Sequence, residues 1–366
     1  MKPQLILLIL SILFYGCAEN SNKAPEAYNK SLLKSIDSLA QSYAANGFSG
    51  EILVAGKNGL IIHKGYGKNK NAGDTTTAFW IASTTKFFTA VCILHLQEEG
   101  KLSENDSIKK YFPGLPADKI QITIRHLLEQ TSGLSSTFIA EGIVNRDSAA
   151  AEILKQGLLS QPGKHFNYAN DNYILLAAII EKVSGNTWEN YVKEVILIPS
   201  GMNHTGFWGN EGEPGIKIDD MNDSIRYQPF YKKIFLNNKT FTNWGQKGAS
   251  GIFSTSSDIY KMILAINAGK IFNENSRNLL FSPGFIVYSE NDTIISYGHG
   301  CSILEVGGKV VETRLRGHGD WLHNNQVSIL SNGYTVITWS KDYGPNHSIL
   351  GYDLCKEIVA LINKFK

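Results

Sequence analysis

A serine followed three residues later by a lysine, Ser83-Thr84-Thr85-Lys86, sits in the apolar stretch "FWIASTTKFFTAV" (79–91). On a helix these two side chains share one face, about 5–6 Å apart at Cβ. An amine that close can accept the hydroxyl proton if it is neutral, and burial lowers a lysine's pKa toward that state. The first turn of a helix also carries backbone N–H groups able to stabilise a developing oxyanion. Alone, the pattern equally describes a helix N-cap. It also recurs at Ser31/Lys34, in an amphipathic surface helix, and at Ser107/Lys110, in the charged loop "SENDSIKK". Only the Ser83 copy has a dry setting.

Two further features can join it. Tyr168-Ala169-Asn170 is the sole Tyr-x-Asn of the chain and precedes a helical run. A phenol beside a cationic lysine has its ionised form favoured, so Tyr168 can act as general base and acid. Asn170 offers a donor and an acceptor to Lys86 or to a substrate amide. The competing reading makes this a turn, with Asn170 or Asp171 as N-cap. Near the end, "RLRGHGDWLHN" (314–324) places His318 between two glycines, where backbone can approach a ligand closely. The competing reading there is a glycine-rich loop with an exposed histidine. His318 and His323 have no third ligand at a recognisable spacing, so no metal is expected. Neither a G-x-S-x-G elbow nor an H-E-x-x-H occurs.

The elements that must position these residues follow from periodicity. Leu32, Leu33, Ile36, Leu39 and Tyr43 predict a first helix stopped at Asn46-Gly47. Residues 50–67 predict a hairpin around Asn58-Gly59. Ser83 to about Glu99 reads as a helix, and the pattern is mostly helical to about residue 200. Residues 207–247 are loop-rich and aromatic, the composition of a binding wall. A helix over 255–270, capped by Ser257 or Asp258, precedes strands in 297–306, 308–317 and 327–340 and a last helix in 348–365. The expected architecture is α/β (α+β): one antiparallel sheet built from both ends of the chain and flanked by the first and last helices. A mostly helical lobe is inserted between, with the site in the cleft. The boundaries are 28–82 plus 248–366 for the α/β lobe and 83–247 for the helical lobe.

The chain has 366 residues, 43% of them hydrophobic, enough for a large core. A net charge of +2, from 35 basic and 33 acidic residues, argues against a nucleic-acid binder. Four cysteines are too few for a disulfide scaffold. Lys2, the apolar run Leu5–Tyr15 and Gly16-Cys17 have the anatomy of a signal peptide over 1–16, and "LFYGC" resembles a bacterial lipobox. Cys17 would then be lipidated and residues 18–27 a tether, which puts the protein in the bacterial cell envelope. The alternative is an ordinary signal peptide with an incidental cysteine.

Taken in order, the three features resemble the serine β-lactamase-like superfamily: class C β-lactamases, penicillin-binding proteins, D-aminopeptidases and related esterases. S-x-x-K matches Ser83 to Lys86, Y-x-N matches Tyr168 to Asn170, and the third signature, K-T-G or H-x-G, is approximated by His318-Gly319-Asp320. The resemblance runs from about residue 30 to the C-terminus. It implies a hydrolase domain over 28–366 and an acyl-enzyme mechanism without metal or cofactor. By position, Ser83 is the nucleophile, Lys86 activates it and Tyr168 assists proton transfer. Asn170, His318 and Gly319 bind substrate, and the oxyanion hole uses N–H groups of Ser83 and of Asp320 or Trp321. The departure is His318 with Asp320 where the family carries lysine and glycine. Histidine is mostly neutral at pH 7, so an ester, amide or peptide substrate is expected rather than a penicillin-like one. The alternatives are a D-alanyl-D-alanine carboxypeptidase or weak β-lactamase, and an inactive peptidoglycan-binding homologue. Expected partners are a small-molecule or peptide substrate, peptidoglycan fragments among them, and a membrane through the lipid anchor.

Overall fold

The computed structural model describes residues 23–67, 75–135, 138–208, 244–319, 323–341 and 349–365. The expected signal peptide, Cys17, Asp320, Trp321 and nearly all of the aromatic stretch 207–247 lie outside these residues. Helix α1 (Lys23–Ala45) starts inside the segment expected as a tether (18–27), which is a correction. It ends near Gly47, whose φ of 109° suits glycine.

Strands β1 (Gly50–Gly56) and β2 (Gly59–Tyr66) form the hairpin, with Gly59 at φ 105°. Two dipeptide strands, β3 (Phe79–Trp80) and β4 (Gly206–Phe207), flank β5 (Ile252–Ser254) in a small sheet. The large sheet is completed by β6 (Phe285–Glu290), β7 (Thr293–Tyr297), β8 (Ser302–Val306), β9 (Lys309–Gly319), β10 (His323–Leu330) and β11 (Thr335–Ser340). Its order is β2-β1-β11-β10-β9-β8-β7-β6, antiparallel throughout. The two ends of the chain meet at β1 and β11, where Ile52 faces Thr338.

Alternation along the strands divides the core into two layers. Ile52, Val54 and Val336 point toward α1 and the C-terminal helix (Leu350–Lys364), packing with Leu32, Ile36, Leu354 and Ile358. Leu53, Ile337 and Trp339 point the other way, into the core shared with the inserted helices. The same core holds α2 (Thr85–Glu98), which is buried on nearly all sides, and α3 (Asn170–Ser184) packs beside it. A helix that is apolar all round belongs in an interior. The helix predicted over 255–270 spans Ser256–Asn267, and its cap is Thr255, which accepts from the Asp258 N–H, rather than Ser257 or Asp258. The three described cysteines, Cys92, Cys301 and Cys355, are buried free thiols.

Candidate active site

The helix expected from Ser83 begins at Thr85; Ala82–Thr84 form one tighter turn before it. Ala82 carries a φ of 44°, a left-handed conformation unusual for a residue with a Cβ. Long-range contacts hold this turn. Ile81 N–H donates to Ile252 O, Thr84 Oγ1 donates to Asn325 Oδ1 at 2.6 Å, and Asn325 Nδ2 donates to Ile81 O at 3.1 Å. Gly317 on β9 passes so close that a Cβ would overlap the Ile81 carbonyl oxygen. Gly300, at φ 75°, lies against α2, where a Cβ would come within 2.8 Å of the Lys86 carbonyl. Strand and turn are therefore pressed together around Ser83 by two positions without side chains.

Ser83 caps no helix. The positions preceding the turn and α2 are Ile81 and Thr84, and neither makes a side-chain capping bond. Instead Ser83 Oγ lies 3.1 Å from Lys86 Nζ. Lys86 is fully buried, 0% exposed, and its other acceptors are Asn170 Oδ1 at 2.6 Å and the Ala249 carbonyl at 2.9 Å. No carboxylate pairs with it among the described residues. Burial pushes its pKa below the usual lysine value of 10.5, while the neighbouring Tyr168 phenol pulls it up. The Tyr168 and Tyr173 rings stand 4.9 and 5.7 Å from the ammonium nitrogen.

Asn170 is the first residue of α3, and its cap position is Ala169, which has no capping side chain. Its amide is committed to Lys86 instead. The Tyr168 segment is tied back by Gln130, whose Oε1 accepts from Ala169 N–H at 3.0 Å and whose carbonyl accepts from Asn167 N–H at 2.8 Å. Tyr168 stays 38% exposed and, with Phe166, stacks edgewise or tilted against Tyr297.

The cavity over Ser83 has a volume of about 480 Å³ and is lined by Tyr168, Asn170, Tyr297 and Cys301 on one side. On the other side β9 contributes Arg314, Arg316 and His318, and the C-terminal helix contributes Tyr352. β8 pairs with β9 only as far as Ser302↔Arg314, so the end of β9 lines the cavity with a strand edge that β8 leaves uncovered. His318 Nδ1 lies 2.6 Å from Asn324 Oδ1, which makes Nδ1 the donor and leaves Nε2 to act as an acceptor when the ring is neutral. Gly319 ends the strand. The structure thus brings together Ser83, Lys86, Tyr168, Asn170 and His318; Trp321 falls outside the described residues.

Sequence reasoning missed Arg314, Arg316, Tyr352 and Asn325. The dipeptide periodicity of "TRLRGHG" places 314, 316 and 318 on one face, but what that face meets is set by where β8 stops. Among the described residues, no group of three or more His, Cys, Asp or Glu side chains could hold a metal ion.

Comparison with known proteins places the chain in a family. A family model described as Beta-lactamase matches residues 35–335. Penicillin-binding protein 4* of Bacillus subtilis is 30% identical over 273 residues, 69% of this chain and 59% of that protein. The penicillin binding protein from Bacillus halodurans superimposes with a TM-score of 0.67 at 22% identity, over 91% of this chain and 98% of its own. D-amino acid amidase from Ochrobactrum anthropi does so with a TM-score of 0.69 at 20% identity, over 92% and 100%. The likeness to these two solved structures is one of fold. The chain spans about 60% of the length of the first curated relatives it matches.

Proposed function

The chain belongs to the beta-lactamase family of serine hydrolases, and on that basis we propose that it cleaves ester, amide or peptide bonds through an acyl-enzyme on Ser83. One observation carries this reading: the bonding pattern of the buried Lys86. The Asn170 and Ala249 oxygens can only accept, so two amine hydrogens go to them. The third direction faces Ser83 Oγ. A neutral amine with that arrangement points its lone pair at the serine hydroxyl, and burial without a carboxylate favours the neutral state.

Lys86 takes the hydroxyl proton as Oγ bonds to the substrate carbonyl carbon. The oxygen that becomes negative is held by the Ser83 N–H, in a first turn that offers no intrahelical acceptor, and by a second N–H after His318, at Asp320 or Trp321. The C–O or C–N bond then breaks, and Tyr168 passes a proton to the departing atom. Water attacks the acyl carbon, gives its proton back through the same pair, and releases the acid with Ser83 restored. Asn170 and His318 orient the substrate.

The test is a fluorophosphonate probe with a fluorescent penicillin alongside. Labelling of the parent protein that disappears in Ser83→Ala is expected, with weak penicillin labelling. An unlabelled parent protein overturns the reading. We also propose export and attachment to the envelope membrane through a lipid on Cys17. Mass spectrometry of the membrane fraction should find an acylated N-terminal Cys17, and a soluble product with residues 1–17 intact would refute it.

A further inference from the structure

We propose that His299 is a positioning residue for the chemistry at Ser83: its bond to the buried Glu104 holds the turn between β7 and β8 against Lys86 and Tyr168. The inference rests on the hydrolase reading above and deepens it.

The turn is Gly298-His299-Gly300, and both of its ends reach the reacting groups. Gly300 lies against the Lys86 backbone, with no room for a Cβ. Tyr297, just before the turn, lines the cavity and stands edge-on to the Tyr168 ring, 6.0 Å between centres. Two glycines leave such a turn with much backbone freedom, and His299 supplies the one side chain of the three residues. That side chain is 3% exposed, and its Nε2 lies 3.2 Å from Glu104 Oε2. An ionised carboxylate only accepts, so Nε2 carries the proton and donates.

Glu104 is a fixed anchor. Its N–H donates to Gln97 Oε1 at 2.7 Å, and Gln97 lies on α2, the helix that carries Lys86. Its carbonyl accepts from the Arg125 N–H at 2.7 Å, and its second carboxylate oxygen takes the Arg125 guanidinium. Burial pushes the Glu104 pKa up, but His299 and Arg125 outweigh it and hold the carboxyl below its usual value. The turn and α2 are therefore joined twice, by close packing at Gly300 and by a buried ionic contact through Glu104. Stability does not account for that contact. Apolar side chains of similar volume commonly do as well as a buried charged pair, whereas the pair fixes direction and distance. His299 also leaves its buried Nδ1 without a hydrogen-bond partner among the described residues, a cost that the Nε2 bond does not remove.

The experiment uses the whole protein and two matched variants, His299→Gln and His299→Asn. Both replace the imidazole with a neutral amide. The glutamine amide reaches as far as Nε2 and can donate to Glu104, while the asparagine amide is one methylene too short. The readout is the second-order rate of fluorophosphonate labelling of Ser83, taken well below the melting temperature of each protein. His299→Asn should label about tenfold more slowly than the parent protein and His299→Gln within about threefold of it, since a small misplacement of reacting groups is costly and glutamine restores the bond. Melting temperatures lowered alike in both variants, with parental labelling rates, make the role structural and overturn the proposal. A glutamine variant as slow as the asparagine one overturns it too. Should His299→Asn not fold, Glu104→Gln works from the other end, by turning one of the two accepting oxygens into an amide donor. Labelling slower than the parent's is then expected, and a parental rate overturns the proposal. An unlabelled parent protein overturns the hydrolase reading itself, whereas equal labelling of parent and variants overturns the positioning role alone.

Discussion

Ser83–Lys86 and Ser107–Lys110 have the same spacing and opposite fates. Ser107 accepts from the Lys109 N–H and donates to the Ile120 carbonyl, so it caps a short helical turn. Lys110 is more than half exposed and pairs with Asp106 at 2.8 Å. Its amine stays hydrated, has a carboxylate beside it, and does not meet Ser107. At the other site the serine caps nothing and the lysine is sealed from water. Nor does burial alone mark the difference. Lys119 and Lys247 are also buried, but Lys119 pairs with Asp118 and Lys247 with Glu181 and Glu189. A buried ammonium is normally compensated by a carboxylate. Among these three lysines Lys86 alone has only neutral acceptors, an arrangement that favours the neutral amine the proposed mechanism needs.

The comparison can be broken at several points. Ser83→Ala should lower kcat for an activated ester by about a thousandfold or more, while Ser107→Ala should keep kcat and lose about 1 kcal/mol of stability, a cap's worth. Stopped assays and thermal melts on the two variants separate these effects. Lys86→Met should cost kcat about a hundredfold or more. In the parent protein kcat/KM should climb with pH through a value below 10.5, because the base must lose its proton first. Stability should follow the same sign. Between the lowered folded pKa and 10.5 the unfolded chain still holds the lysine proton and the folded chain does not, so melting temperature relative to Lys86→Met rises with pH. A profile that falls over that range would contradict a base at Lys86.

Next in size is the clamp on the serine turn. Gly300→Ala puts a Cβ at a φ of 75° against the Lys86 backbone. It should destabilise by about 1–3 kcal/mol and lower phosphonate labelling rates in step. Smallest is Lys110→Met, which removes an exposed ion pair and should move stability by no more than about 0.5 kcal/mol, with labelling unchanged.

Much of this was readable from residue types. Hydrophobic periodicity located the helices that carry Lys86 and Asn170, and Asn58-Gly59 located the first hairpin. What escaped has physical causes. β6 has no inside and outside: five of its six residues are exposed, so no alternation marks it. The start of α2 shifted by two residues because Ser83 lies in a strained turn held by Asn325 and Ile252, contacts far away in sequence. Arg316 reads as an ordinary outward strand residue until β8 stops short and the C-terminal helix brings Tyr352 beneath it. Local pattern sees a side chain's type; the length of a neighbouring strand decides what it faces.

The meeting of Ile52 with Thr338 has a consequence for how the molecule is made. β1 is an interior strand whose second neighbour comes from the far end of the chain. During synthesis the β1–β2 hairpin exists long before β11, and two strands alone are marginal in water. The large sheet therefore closes late, through contacts of very long loop span, and such closure is slow. Until the last strands emerge, the first ones wait with an open edge, and the chain stays threadable rather than shut.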